Sequence, residues 1–171
     1  MTQNGASDPA TDKSPKIELV PLTAAFAPVA SALHAQGFDD PWDADAIIRL
    51  LDVPGAFGIL AYQPGDPAQN GDDLPLGFVL MQTVLDEAEI NTITVAPTAR
   101  RMGVGKKLLA AVEERLRASD VARMLLEVAV DNDPAIALYA QNGFSEVGRR
   151  KGYYARRNSA PVDALVLERL L

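Results

Sequence analysis

The stretch RRMGVGKKLL, residues 100 to 109, sets two glycines between an arginine pair and an apolar helix. Glycine loses more conformational entropy on folding than other residues, so a pair of them at a helix start implies that something approaches the backbone closely. Such a start offers free N–H groups and the positive end of the helix dipole. With Arg101, Lys106 and Lys107 beside it, the turn Arg100-x-x-Gly103-x-Gly105 is suited to hold an anion such as a pyrophosphate. It is not a P-loop, because the position five before Gly105 is Arg100 and the residue after Lys106 is Lys107. Nor is it a dinucleotide fingerprint, whose third glycine would fall on Leu108.

The rest of the chain restricts the chemistry further. There is no cysteine, which removes disulfides, thiolate metal sites and a cysteine nucleophile together. The single histidine, His34, has no histidine partner for a metal and no nucleophile-elbow serine, and reads as a partly exposed helical residue. Catalysis must therefore run on carboxylates, tyrosines, backbone amides or a borrowed cofactor. Glu127, in LLEVAV, puts a carboxylate in a strand otherwise written for burial, an expensive place unless the charge is satisfied or used. Period-2 alternation allows the plainer alternative that it points at water. Tyr139, in AIALYAQNGF, combines a ring that packs with a phenol that donates.

These residues need elements to position them. Residues 1–15 are polar and aperiodic and read as a disordered tail, leaving 16–171 as a single domain. KIELVPL reads as a first strand, Thr23 to Gln36 as a helix closed by Gly37, and DADAIIRLL as a second helix capped by Asp43. GAFGILAY and PLGFVLMQTVL read as strands joined by a long loop, residues 63–75. EAEINTITV follows as a strand with Ile90, Ile93 and Val95 as candidate buried positions. Past the glycines, Leu108, Leu109, Val112 and Leu116 share one helical face, with Lys107, Glu113, Glu114 and Arg117 on the wet one. RMLLEVAV is a buried strand, DPAIALYAQNG a helix capped by Asp133 and stopped by Gly143, and FSEVGRR and ALVLERLL the last strands. The order β-α-α-β-β-β-α-β-α-β-β describes an α/β fold with a mixed sheet. The crossover over residues 90–129 should set two parallel strands side by side.

The net charge of −7 is divided unevenly. Residues 1–95 carry 3 basic and 14 acidic residues, and residues 96–171 carry 13 basic and 9 acidic ones. An acidic chain is a poor general nucleic-acid binder. The division instead suits an anionic ligand on the C-terminal half and a cationic one against the N-terminal half. No apolar run approaches a bilayer crossing, and the first residues lack the apolar core of a signal peptide, so the expectation is a cytoplasmic protein without a membrane partner.

The turn after the strand ITVAP, followed by an amphipathic helix, resembles the acetyl-coenzyme A signature of the GCN5-related N-acetyltransferases (GNAT). The run LLEVAVDNDPAIALYAQNGF resembles, within that superfamily, the bacterial ribosomal-protein-alanine N-acetyltransferase type, and the likeness covers about residues 17–171 by element order. The resemblance implies a splayed central sheet flanked by about four helices, with acetyl-CoA as cosubstrate and no metal. It implies that Arg100, Arg101, Met102, Gly103, Val104, Gly105 and Lys106 hold the pyrophosphate, and that Asn132 contacts the cofactor. The backbone of Ile93, Thr94 and Val95 would hold the pantetheine arm as an added strand, with the Val95 amide facing the thioester oxygen. Glu127 would accept the amine proton, through water, and Tyr139 would serve as general acid. Phe38 and Trp42, and Tyr153 and Tyr154, would occupy the two loops that border the acceptor peptide in similar enzymes.

The implied reaction is direct acetyl transfer to the N-terminal amine of a protein, with a ribosomal protein carrying N-terminal alanine as the foremost acceptor and a monomer or weak dimer as the working unit. Ala129 stands where this type often has arginine, and the polar tail and the loop 63–75 are additions; all three bear on the acceptor. Two alternatives stay open on sequence alone: acetylation of a small amine or a lysine side chain, and a non-catalytic acyl-CoA-binding module.

Overall fold

The computed structural model describes residues 16–69, 71–156 and 159–171; the expected tail, 1–15, lies outside the described residues. Two central strands determine everything near the glycine turn. Strands β4 (Glu87–Val95) and β5 (Arg123–Ala129) run parallel, as the crossover between them requires. They pair only from Glu87 to Ile90 on β4 and from Arg123 to Leu126 on β5. Beyond those residues the strands part, so the sheet is splayed into a V. Arg123 stands at the closed end, bonded to Glu87 of β4 and, at 3.0 Å, to Glu168.

The remaining strands extend the sheet on both sides of this V. On one side lie β3 (Leu74–Val84), β2 (Ala56–Gln63) and β1 (Glu18–Pro21), all antiparallel. On the other lie β7 (Val162–Leu170) and, at the edge, β6 (Ser145–Tyr154), giving the order β1-β2-β3-β4-β5-β7-β6. Four α-helices complete the described fold: α1 (Ala27–His34), α2 (Ala44–Leu51), α3 (Val104–Arg117) and α4 (Asp133–Gln141). The order along the chain is the one expected, and among the described residues no helix is long and apolar enough to cross a membrane.

Helix α3 forms as its pattern predicts. Leu108, Leu109, Val112 and Leu116 are all at most 1% exposed, and burying each contributes about 1.5–3 kcal/mol. Glu113 differs from expectation: it is half-buried, bonded to Arg117 at 2.6 Å and to Arg169 of β7, because the sheet's C-terminal strand passes beside it. The first helix is shorter than expected. Pro28 has no N–H to give to Ala24, so residues 24–26 close as a 3-10 turn and the α-helix begins at Ala27. Asp43 caps α2 as expected, its side chain accepting from the Ala46 N–H at 2.7 Å. For α4 the cap is Asn132 rather than Asp133, which is the first helical residue; Asn132 Oδ1 accepts from the Ala135 N–H at 3.4 Å.

Strand β4 corrects the expected core positions. Ile90 is buried, but Ile93 and Val95 are half-buried, and Thr92 and Thr94 are the buried pair. Pairing with β3 is irregular at Asn91, where the partner of Met81 is Ile90 and that of Leu80 is Thr92. Past that point β5 has diverged, so the face carrying Ile93 looks into the opening of the V.

His34 is the largest departure. It is 2% exposed, stacked between the rings of Phe38 at 4.1 Å and Trp42 at 4.8 Å, and its Nδ1 accepts the Trp42 N–H at 3.1 Å. An accepting Nδ1 makes this a neutral imidazole protonated at Nε2. Burial pushes its pKa from 6.5 down to about 4. Below the ordinary value the unfolded chain takes up a proton that the folded one refuses, so stability is full above about pH 6.5 and falls toward pH 4, by up to about 3 kcal/mol. Thermal melts from pH 7 to 4.5 should show this slope. His34→Phe, which keeps a stacked ring but cannot titrate, should flatten it; equal slopes in both proteins would contradict the assignment.

Candidate active site

Where β4 and β5 part, the structure holds a cleft of about 390 Å³. Ile93 and Asn91 line it from β4, Glu127 from β5, Asn132 from the cap of α4, Tyr139 from α4, Tyr154 from β6, and Phe38 from the loop between α1 and α2. Residues distant in sequence thus meet because the sheet opens between them.

Glu127 sits on the face of β5 opposite the buried Met124, Leu126 and Val128, as alternation dictates. Yet its side chain is only 15% exposed, because β6 folds over it. Arg150 Nε lies 2.9 Å from Glu127 Oε1, and the Tyr153 phenol hydrogen-bonds to the same carboxylate, the bond that does most to raise that phenol's pKa. Tyr154 donates its hydroxyl to the Glu127 backbone carbonyl at 3.2 Å, and burial pushes its pKa up to about 12. Both tyrosines belong to the end of β6 rather than to a loop. Gly152, at φ +59°, gives its N–H to Asp163 Oδ1 and lets pairing with β7 resume at Tyr154 after a break.

Tyr139 is 5% exposed, with its ring edge-on to Phe144 at 5.7 Å. Burial, with a smaller contribution from Tyr154, pushes its phenol well above the usual tyrosine range. The hydroxyl therefore carries its proton throughout the neutral range and is available as a donor.

The glycine turn lies at the far end of β4, outside the cleft lining. Arg100 is extended, Arg101 takes φ +65° and Gly103 takes φ +83° as the N-cap of α3. A Cβ at Gly103 would meet nothing, so this position needs glycine for its backbone angle alone. Gly105 serves a different purpose: a Cβ there would come 2.9 Å from Leu138 Cδ2 and 3.8 Å from Val95 Cγ2, so it lets the first turn of α3 close on α4 and on the end of β4. No side chain caps α3, so its first N–H groups are left for a ligand or water, flanked by the exposed Arg101 and Lys106. Met102 is half-buried and Val104 buried.

Two expected contacts lie elsewhere. Trp42 is not in the cleft lining and spends its ring on His34. Tyr153 reaches the site only through Glu127. Two groups escaped sequence reasoning: Arg150, whose partner lies on another strand, and the ion pair of Arg156 with Asp131 at 2.7 Å on the cleft wall. The arginines of RRKGYYARR were the only available signal, and nothing in that run says which of them turns inward.

With this geometry in hand, the family model of the acetyltransferase (GNAT) family matches residues 29–144. The chain belongs to the GNAT family. The matched segment takes in the glycine turn, Glu127 and Tyr139 and ends before Arg150. Among GNAT relatives, the chain is 33% identical over 143 residues to the ribosomal protein bS18-alanine N-acetyltransferase of Haemophilus influenzae, spanning 81% of this chain and 96% of that one. It is 31% identical over 136 residues to a putative enzyme of the same name from Bacillus subtilis, spanning 79% and 83%. The crystal structure of the ribosomal-protein-S18-alanine N-acetyltransferase from Escherichia coli superposes with a TM-score of 0.80 at 27% identity, over 91% of this chain and 94% of that one.

Proposed function

We propose that this GNAT chain is an acetyl-CoA-dependent N-acetyltransferase that modifies the N-terminal α-amine of a protein, with a ribosomal protein bearing N-terminal alanine as acceptor. The observation that carries the reading is the meeting of Glu127 and Tyr139 across one cleft, in a chain alike over nearly the full length of the Haemophilus influenzae enzyme.

The residues present fit acetyl-CoA. Beyond Ile90 the backbone of β4 has no strand partner on the side of β5, an edge that an extended pantetheine arm can join through Ile93, Thr94 and Val95. The uncapped N–H groups from Gly103 to Lys106, with Arg100 and Arg101, suit the pyrophosphate, and Asn132 stands on the cleft wall. When bound, acetyl-CoA supplies the acetyl group as an activated thioester.

The protein's own part is proton handling and orientation. Glu127 draws the proton from the acceptor ammonium, and Tyr139 holds a proton at its hydroxyl for the departing thiolate. A terminal α-amine, with an unperturbed pKa of about 7.7–8.0 against about 10.4 for lysine, needs less help from this base. Tyr154, in the cleft lining, borders the acceptor, with Tyr153 behind it on Glu127. No side chain takes up the acetyl group, so both substrates must be bound together and kinetics should be those of a ternary complex. Thiol release should occur with a peptide opening on a free alanine and stop when that terminus is blocked. Release that persists with the blocked peptide, or that appears only with a small polyamine, would overturn the choice of acceptor.

A further inference from the structure

We infer that Arg150 is a positioning residue for the reaction, acting through Glu127: its guanidinium holds the carboxylate in place beside the cleft. The inference rests on the reading of Glu127 as the base. Three groups form a closed triangle, each touching the other two. Arg150 Nε meets Glu127 Oε1 at 2.9 Å, the Tyr153 phenol bonds to Glu127, and the Arg150 guanidinium lies 5.1 Å from the centre of the Tyr153 ring.

A regular strand would not produce this triangle. Residues 150 and 153 are an odd number of positions apart, and on an unbroken strand their side chains would point to opposite faces. Pairing of β6 with β7 is irregular between Arg150 and Tyr154, with Gly152 in the left-handed region and its N–H tied to Asp163. Arg150 pairs with Ala164, on the same face of β7 as the Val166 opposite Glu127, so alternation already turns it toward the carboxylate, and the irregularity brings Tyr153 to the same group, the re-aiming that a bulge performs. Because β6 is the sheet edge, the two residues lie over the cleft from outside, with Arg150 57% exposed. Its cost to fold stability on removal is accordingly small.

The groups facing Glu127 limit what else could orient it. From β6 they are Arg150, Tyr153 and Tyr154; from α4, Tyr139; and on the cleft walls, Asp39 and the Arg156–Asp131 pair. From β7 the opposed residue is Val166, which carries no charge. Arg150 is the cation in direct contact. Its loss leaves the carboxylate held by the Tyr153 phenol alone.

The test is a double-mutant cycle run on the whole protein with acetyl-CoA and an alanine-terminated peptide. Arg150→Gln should lower kcat about 10-fold, with KM for the peptide and acetyl-CoA affinity by calorimetry within about 2-fold of the wild type. Arg150→Lys keeps the charge and loses the planar Nε contact, so kcat should fall by less, about 3-fold. In a Glu127→Gln background, Arg150→Gln should add less than about 2-fold. A full additional loss in that background, or a loss in Arg150→Gln carried by peptide KM rather than by kcat, would overturn the inference and make Arg150 a direct contact of the acceptor. If Glu127→Gln alone leaves the rate intact, the base assignment itself falls, an outcome separable from the other two.

Discussion

Replacing Glu127 with glutamine is expected to lower kcat/KM for an alanine-terminated peptide about 100- to 1,000-fold near neutral pH, the range that a positioned general base contributes. The substitution keeps the shape of the side chain and its bond to the Tyr153 phenol, while Arg150 is exposed enough to be solvated without a partner. The fold should therefore survive and the loss should be chemical. Its pH dependence is the diagnostic part. The base matters most where the amine is protonated, so the deficit should shrink as pH rises through the α-amine's own pKa of about 8. A variant whose pH profile parallels the wild type at reduced height would point to a lost contact rather than a lost base.

The second large effect is that of Tyr139→Phe, which should slow kcat about 10- to 100-fold while leaving acetyl-CoA affinity within about 2-fold. Phenylalanine preserves the edge contact with Phe144 and the apolar packing of a side chain that is 5% exposed. Only the hydroxyl is removed, and burial keeps that hydroxyl protonated far above neutral pH. Isothermal titration of acetyl-CoA into the variant, beside steady-state kinetics, separates the two possible roles. A loss of affinity that matches the loss of rate would make Tyr139 a structural residue of the pocket.

How far the molecule could be read from its residues depended on whether the information was local. The order of strands and helices, the Asp43 cap and the buried face of α3 were all legible, because periodicity and turn chemistry act over a few positions. The glycine turn was legible as a motif, but the two glycines turned out to differ. Gly103 supplies a backbone angle, whereas Gly105 makes room for Leu138, a residue from a helix the local pattern could not place. His34 looked like a half-wet helical histidine because its helix is short and its neighbours are polar in part. Its burial comes from Phe38 and Trp42, reached only after the chain leaves the helix, and from Phe78 on β3.

The candidate site shows the same division. Glu127 and Tyr139 stood out as residue types, yet their spacing along the chain says nothing of a shared cleft. That depends on β4 and β5 separating after Ile90 and Leu126. Arg150 was invisible for a sharper reason. Its face is set by pairing across β7, where Arg150 opposes Ala164 and Glu127 opposes Val166, and nothing local to β6 announces that register.

The central claim is acetyl transfer to a terminal α-amine, and one peptide can test it directly. The peptide should begin with alanine and also contain an internal lysine, and the product should be sequenced by tandem mass spectrometry after incubation with acetyl-CoA and the purified protein. The account predicts the acetyl group on the α-nitrogen of the alanine with the lysine untouched. An acetyl group on the lysine, with a free terminus, would contradict it.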